Sequence, residues 1–422
     1  MHSVTNAIPT GTIASIPAKA HAHRALICAA LATSPSTILL SRTSKDIDAT
    51  MDSLRSLGAH VVYENKIVTV TPGPAPVKGN VVPHESGTTL RLLLPVAASI
   101  CNDVDVDAKG RLPDRPLEPM LGEMKAHGVT FSQDKPPFTM TGRLQGGNFS
   151  MVGDVSSQFF SGLLLAAPQI GLSTITSTTP LQSSDYVTLT TETMRDFGVE
   201  VEHTLPDTNI NEAFTVPFGA SFIGRDNYQI EGDWSNAAIW MVAAGMTGKP
   251  ITITGMNKNS VQADRRIMQV MIDAGCDVVW DGMNVTVTGR ASKPIHADLE
   301  QMPDMLPVMA ALACSISGES SFIKGARLRL KESDRLVAVA NLVRDLGGTV
   351  REEGDDLYII GSGILKGGHG DCINDHRLVM AGTLMALISE NPVTLKDSEA
   401  ITKSYPDFFE DWNLLGGDAH GI

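Results

Sequence analysis

Cationic and small polar residues stand directly ahead of apolar runs at several points along this chain. Lys19 and Arg24 lie five residues apart in AKAHAHRALICAALA, Gly87, Thr88 and Arg91 belong to ESGTTLR, Arg115 to RLPDRPLEP, and Ser156, Ser157 and Gln158 open SSQFFSGLLLAAP. In the second half Asp304 lies in EQMPDMLP, Lys331, Glu332, Asp334 and Arg335 in RLKESDR, His376 and Arg377 in NDHR, and Lys403 in AITKSYPDFFEDW. A helix start presents unpaired N–H groups and the positive end of the helix dipole, worth ~0.3–1 kcal/mol toward an anion. Several such starts flanked by Arg and Lys would cage a small molecule carrying phosphate or carboxylate groups and would suit a hydrophobic one poorly.

Each motif also has a plainer reading. AKAHAH fits a solvated loop, SGTTLR, VSSQFF and NDHR fit helix caps, and KESDR fits a helical face with paired charges. His21 and His23 lack an acid or Cys at metal-ligand spacing, and SGTTLR is not the GxxxxGK phosphate loop. What favours one shared site is that the charges recur at matching positions of a repeat.

That repeat is the scaffold. A helix ending at Gly and followed by alternating strands recurs at Gly58, Gly128, Gly198, Gly275 and Gly347, with Gly416 as a truncated sixth copy; the steps are 70, 70, 77, 72 and 69 residues. Glycine ends a helix cheaply because it enters the left-handed region without a Cβ penalty. Each copy opens with a helix rich in Ala and Leu, such as TLRLLLPVAAS or DMLPVMAALAC, followed by a short strand such as STILL or PITITG. The copy therefore reads as helix, strand, helix, strand, strand. The opening helices are apolar nearly all round, so they belong inside.

Composition bounds the partners. With 422 residues the chain can bury two full cores, and a net charge of −14 disfavours general nucleic-acid binding. A local basic cleft still acts, because the overall field is screened beyond roughly 8 Å at physiological salt. The five cysteines are scattered without CxxC spacing, which argues against disulfides and zinc and for a reducing compartment. No apolar run reaches membrane-spanning length and no signal peptide is legible, so the expectation is cytoplasmic.

Together these residues resemble the 5-enolpyruvylshikimate-3-phosphate synthase family (3-phosphoshikimate 1-carboxyvinyltransferases) over residues 13 to 412. The markers are Lys and Arg ahead of ALICAALA, then SGTTLR, DRP, SSQF, PDMLP, KESDR, NDHR and KSYPDFF. The resemblance implies an α/β fold, a two-domain inside-out α/β barrel of six βαβαββ units with helices inside and sheets outside. It implies one three-unit domain at 18–229, a second made of 1–17 with 230–422, and an active site in the cleft between them.

The implied reaction moves the enolpyruvyl group of phosphoenolpyruvate to the 5-hydroxyl of shikimate 3-phosphate, with release of phosphate through a tetrahedral intermediate. No metal and no organic cofactor are implied. Lys19, Gly87, Arg115, Gln158, Arg335, Arg377 and Lys403 match phosphoenolpyruvate-binding positions. Lys19, Arg24, Ser156, Ser157, Gln158, Ser183, Tyr186, Asp304 and Lys331 match shikimate-phosphate positions. Asp304 is expected as the base for the hydroxyl, and Lys19 and Glu332 compete to protonate the methylene carbon. Glu332 could act as acid only if desolvation raised its pKa. The expected partners are these two small anions, with no nucleic acid and no membrane, and the expected state is a monomer.

The sequence departs from the family in places. Ala18 and Ala20 flank Lys19 where serines are usual, and the second serine normally contacts the shikimate phosphate. His21, His23 or a free backbone N–H is expected to replace that contact. Glu85 and Arg327 each stand where an Asn is common. The related UDP-N-acetylglucosamine enolpyruvyl transferases usually carry a Lys-Asn pair and often a loop Cys; here Ala20 follows Lys19 and GRLPDRP has no Cys. A non-catalytic relative would explain the lost serines, but Lys19, Asp304, Glu332, Arg335 and Arg377 are all retained.

Overall fold

The computed structural model describes residues 1–205 and 212–422. Two compact units divide the chain, Pro17–Ile230 and Met1–Ile16 with Glu231–Ile422. Each has its own hydrophobic core.

Helices come in pairs, one pair per repeat. In the first unit they are α1 (Lys19–Ala30) and α2 (Lys45–Ser56), α3 (Gly87–Ile100) and α4 (Met120–Ala126), and α5 (Ser157–Ile170) and α6 (Asp185–Asp196). In the second they are α7 (Trp234–Thr247) and α8 (Ile267–Asp273), α9 (Leu306–Ser315) and α10 (Arg335–Asp345), and α11 (His376–Ala386) and α12 (Phe408–Leu414). The opening helix of each pair is interior: every residue of α9 and α11 is buried, and α3 exposes almost nothing. Burying a Leu or Val side chain contributes ~1.5–3 kcal/mol, so these apolar helices are placed by packing more than by intrinsic propensity. The second helices are two-faced; α2 buries Ile47, Met51 and Leu54 and exposes Asp52 and Arg55.

Each repeat also owns a four-stranded sheet. The strands after the opening helix follow the sequence reading, as in Ser36–Leu39, His60–Glu64 and Ile67–Thr71. A further short strand, unseen in the periodicity, precedes α3, α5, α9 and α11 and pairs parallel with the strand after that helix. Lys78–Val81 lies along Asp103–Val106 in this way, and His296–Asp298 along Gly318–Ile323.

Strands distant in sequence complete three of the sheets. Tyr228–Gln229 returns to pair with Ser36–Leu39, and Gly11–Ala14 pairs with Ile251–Thr254. His2–Val4 lies between Val393–Lys396 and Ala419–Gly421, antiparallel to both. The sixth repeat is therefore complete, not truncated, because its missing strand comes from the N-terminus. The six key glycines, Gly58, Gly128, Gly198, Gly275, Gly347 and Gly416, all have φ between 87° and 105°.

Candidate active site

In Pro17–Ile230 the sequence-predicted residues gather at helix starts. Lys19 is the first residue of α1, and its ammonium donates to Asp46 of α2 at 2.7 Å. Ser86 caps α3 by accepting from the Thr89 N–H, and Ser156 caps α5 by accepting from the Gln158 N–H. Gln158 ties the two starts together: its amide donates to Thr88 at 2.9 Å and accepts from Arg91 at 3.1 Å. The Arg115 guanidinium lies against Gly87, where an added Cβ would fall 2.7 Å from Nη1. Ser157 is buried beside this cap.

Ser183 is buried at the entry to α6 with φ 54°, a left-handed conformation that costs a non-glycine residue of order 1 kcal/mol. Its carbonyl accepts from the Tyr186 N–H. Arg24 is buried deeper than a ligand-facing reading suggests. It donates to Thr190 at 2.7 Å, to the Ala20 carbonyl at 2.8 Å, to Ser161 at 3.2 Å and to the Tyr186 carbonyl at 3.0 Å, binding α1 to α5 and α6. Burial pulls its pKa down to about 10, which leaves it charged at neutral pH.

The histidines of AKAHAH do not supply the expected replacement for the missing serine. His21 Nε2 is hydrogen-bonded to Tyr228 at 2.8 Å, and burial lowers its pKa to about 4, so it is a neutral ring in the core. His23 Nδ1 meets Thr50 at 2.7 Å, and burial holds it well below the usual imidazole value. Of the three expected substitutes only the backbone N–H groups of α1 remain, and α1 has no side-chain cap that would occupy them.

The second unit holds a denser ionic cluster. Asp304, on the turn Pro303–Met305 ahead of α9, accepts from Arg335 at 2.7 Å and lies 3.2 Å from the Lys331 ammonium and 3.9 Å from Arg377. Arg335 also donates to Glu332 at 2.6 Å and to both oxygens of Asp375, at 2.9 and 3.2 Å. Asp375 further accepts from Ser333 at 3.0 Å and caps α11 through the Arg377 N–H. Lys403 donates to the Asn374 carbonyl at 2.7 Å, next to this cap.

Charge balance sets protonation here. Burial pushes Asp304 up, but Lys331, Arg377 and Arg335 outweigh it and hold the carboxyl well below its usual range. Burial lowers Lys331 to about 8 even against the attraction of Asp304, with Arg327 and Arg335 adding to the fall. Arg335 is raised, because Asp375, Glu332 and Asp304 together exceed its desolvation. Asp264 is different: burial raises it to about 6, helped by Asp304 and Asp233 and opposed by Arg377. Ser235 donates to it.

Three residues of these clusters escaped the sequence reading. Asp46 and Asp375 sit at helix starts, where an acid is explained by capping alone. Asp264 lies in a 3₁₀ turn outside any of the motifs. Among the described residues no group of three or more His, Cys, Asp or Glu is arranged to hold a metal ion.

Comparison with known proteins supplies the family. A family profile described as EPSP synthase (3-phosphoshikimate 1-carboxyvinyltransferase) matches residues 7–412. A 3-phosphoshikimate 1-carboxyvinyltransferase of Clostridium kluyveri is 36% identical, over 97% of this chain and 95% of its own. One of Methanocorpusculum labreanum is 34% identical over 97% of each, and one of Pyrococcus abyssi is 34% identical over 95% and 94%. An EPSP synthase structure from Acinetobacter baumannii superposes with a TM-score of 0.81 at 23% identity, covering 100% of this chain and 99% of that one, which supports the fold.

Proposed function

The chain belongs to the EPSP synthase (3-phosphoshikimate 1-carboxyvinyltransferase) family, and from that premise we propose how its residues carry the transfer of the enolpyruvyl group from phosphoenolpyruvate to shikimate 3-phosphate. On this reading Lys19, Gly87, Arg115, Gln158, Arg335, Arg377 and Lys403 receive phosphoenolpyruvate. Lys19, Arg24, Ser156, Ser157, Gln158, Ser183, Tyr186, Asp304 and Lys331 receive shikimate 3-phosphate, Arg24 chiefly by fixing Ser161 and the Tyr186 carbonyl. The two sets serve one substrate pair.

The 5-hydroxyl adds to C2 of phosphoenolpyruvate and loses its proton to Asp304, while a proton is delivered to the methylene carbon. The tetrahedral adduct then loses that carbon's proton and its phosphate, leaving the enol ether and inorganic phosphate. The single observation that carries this reading is Asp304 gripped by Lys331, Arg335 and Arg377. In that grip the carboxylate is a weak base. Substrate phosphate and carboxylate groups compete for the same three cations, and as they engage, Asp304 is released to accept a proton. Lys19 and Glu332 remain the two candidates for the acid. Glu332 accepts from Arg335 at 2.6 Å, so it too is freed only when Arg335 turns to a substrate.

All five cysteines are free and buried, which supports a reducing, cytoplasmic setting; a monomer is the proposed state, to be tested by light scattering. The activity is tested by phosphate release from phosphoenolpyruvate with shikimate 3-phosphate or UDP-N-acetylglucosamine as acceptor. Release with the first alone is expected; release with the second alone overturns the reading.

A further inference from the structure

The helix that carries Lys19 starts without a side-chain cap, whereas α3 and α5 are capped by Ser86 and Ser156. Something else must fix its register. Four buried side chains from three helices form an unbroken chain beneath the site. His23 Nδ1 of α1 lies 2.7 Å from the Thr50 hydroxyl of α2, which lies 2.7 Å from the Thr89 hydroxyl of α3. Thr89 in turn donates to the Ser86 hydroxyl at 2.8 Å, with the Asp46 carbonyl at 3.3 Å. The chain thus ends on the cap of the helix that begins at Gly87 and on the residue whose carboxylate holds Lys19.

We infer that His23 is a positioning residue: as its Nδ1–H tautomer it drives a one-way hydrogen-bond chain that sets Lys19 and Asp46 in register with Gly87. The direction follows from the far end. The Asp46 carbonyl, 3.3 Å from the Thr89 hydroxyl, can only accept, so Thr89 spends its proton outward. It must therefore accept from Thr50, and Thr50 must accept from His23. The opposite tautomer would strand a buried N–H, because Nε2 has no hydrogen-bond partner among the described residues. The inference rests on the reading of Lys19 and Gly87 as phosphoenolpyruvate-binding residues.

The test joins a spectroscopic and a kinetic measurement. In histidine-labelled wild-type protein, long-range ¹H–¹⁵N spectra, with His23 assigned by its loss in His23→Gln, are expected to show Nδ1 protonated; an Nε2–H ring overturns the inference whatever the activity. His23→Leu and Thr50→Val are each expected to lower kcat/KM for phosphoenolpyruvate about tenfold, and the double variant no further than the worse single one. His23→Asn, whose amide can donate to Thr50, should recover to within about threefold of wild type. Unchanged kcat/KM in Thr50→Val, the nearly isosteric change that folds even if His23→Leu does not, overturns it, as do losses that multiply. A wild type that does not turn over the two substrates would instead sink the proposed function, with the ring's tautomer still deciding the chain.

Discussion

Arg335 and Asp375 meet through two hydrogen bonds, of 2.9 and 3.2 Å, with only 1% and 0% of their side chains exposed. Since Asp375 also caps α11, the guanidinium that faces Asp304 is held by the start of the neighbouring repeat. A fully buried cation is tolerable only while its counter-charge is present.

Asp375→Asn separates these duties. Asparagine caps a helix as well as aspartate does, so the cap survives and only the charge is lost. The expected loss of unfolding free energy is about 3 kcal/mol, the cost of leaving one member of a buried pair short of its partner. Urea denaturation checks it; a change under about 1 kcal/mol would show that Asp304 and Glu332 alone balance Arg335.

Gly87→Ala should divide binding from stability. Alanine is favoured over glycine within a helix by about 1 kcal/mol, yet its Cβ would fall 2.7 Å from Arg115 Nη1. Arg115 can swing away, so the fold holds while the phosphoenolpyruvate site loses a cation. KM for phosphoenolpyruvate is expected to rise about tenfold with a melting temperature equal to or above wild type. A KM unchanged in steady-state kinetics would remove Arg115 from the donor site.

Much of this was legible beforehand, and what was not has physical causes. The six helix-ending glycines and the apolar opening helices are local signals, and they hold. The leading strands are two to four residues long, as in Tyr228–Gln229 and Lys78–Val81, too short to show a period of two. Charges such as Lys331 and Arg335 are unusual for their positions and so stand out. Asp46 and Asp375 were masked by being ordinary helix-start acids. The burial of His21, His23 and Arg24 could not be read at all, because it depends on Tyr228, Thr50 and Thr190 arriving from distant sequence.

Asp264 makes stability pH-dependent with a defined sign. Its folded pKa of about 6 lies above the unfolded value, so the folded state binds the extra proton between about pH 4 and 6. Stability from this group is full below that window and lost as pH rises through it, by on the order of 2 kcal/mol. Asp264→Asn stays neutral and still accepts from Ser235. The variant should gain about 2 kcal/mol on wild type at pH 8 and almost nothing at pH 4, measured by paired urea titrations; an equal difference at both pH values would remove Asp264 as the source.

Lys331 should set an alkaline limit on turnover. Burial lowers its pKa to about 8, so its charge fades in the free enzyme as pH rises through that value. The quantity that reports free-enzyme ionisation is kcat/KM, and for shikimate 3-phosphate it is expected to fall above about pH 8. Lys331→Arg keeps the charge and should move the limb up by at least about one pH unit, at some cost in fit. A limb that stays near pH 8 in that variant would assign it to another group.

Ala20→Ser tests what the structure leaves of the compensation for the missing serine. His21 and His23 are neutral, buried and engaged with Tyr228 and Thr50, so neither can reach a substrate phosphate. Only backbone N–H groups at the uncapped start of α1 can stand in, and they donate from fixed positions. A hydroxyl one residue beyond Lys19 adds a further donor to a charged group, typically worth about 1.5–3 kcal/mol. Shikimate 3-phosphate is therefore expected to bind at least about tenfold more tightly to Ala20→Ser, measured by calorimetry, with the phosphoenolpyruvate KM changed less. Equal affinity in the two proteins would mean that the α1 backbone alone already satisfies the phosphate.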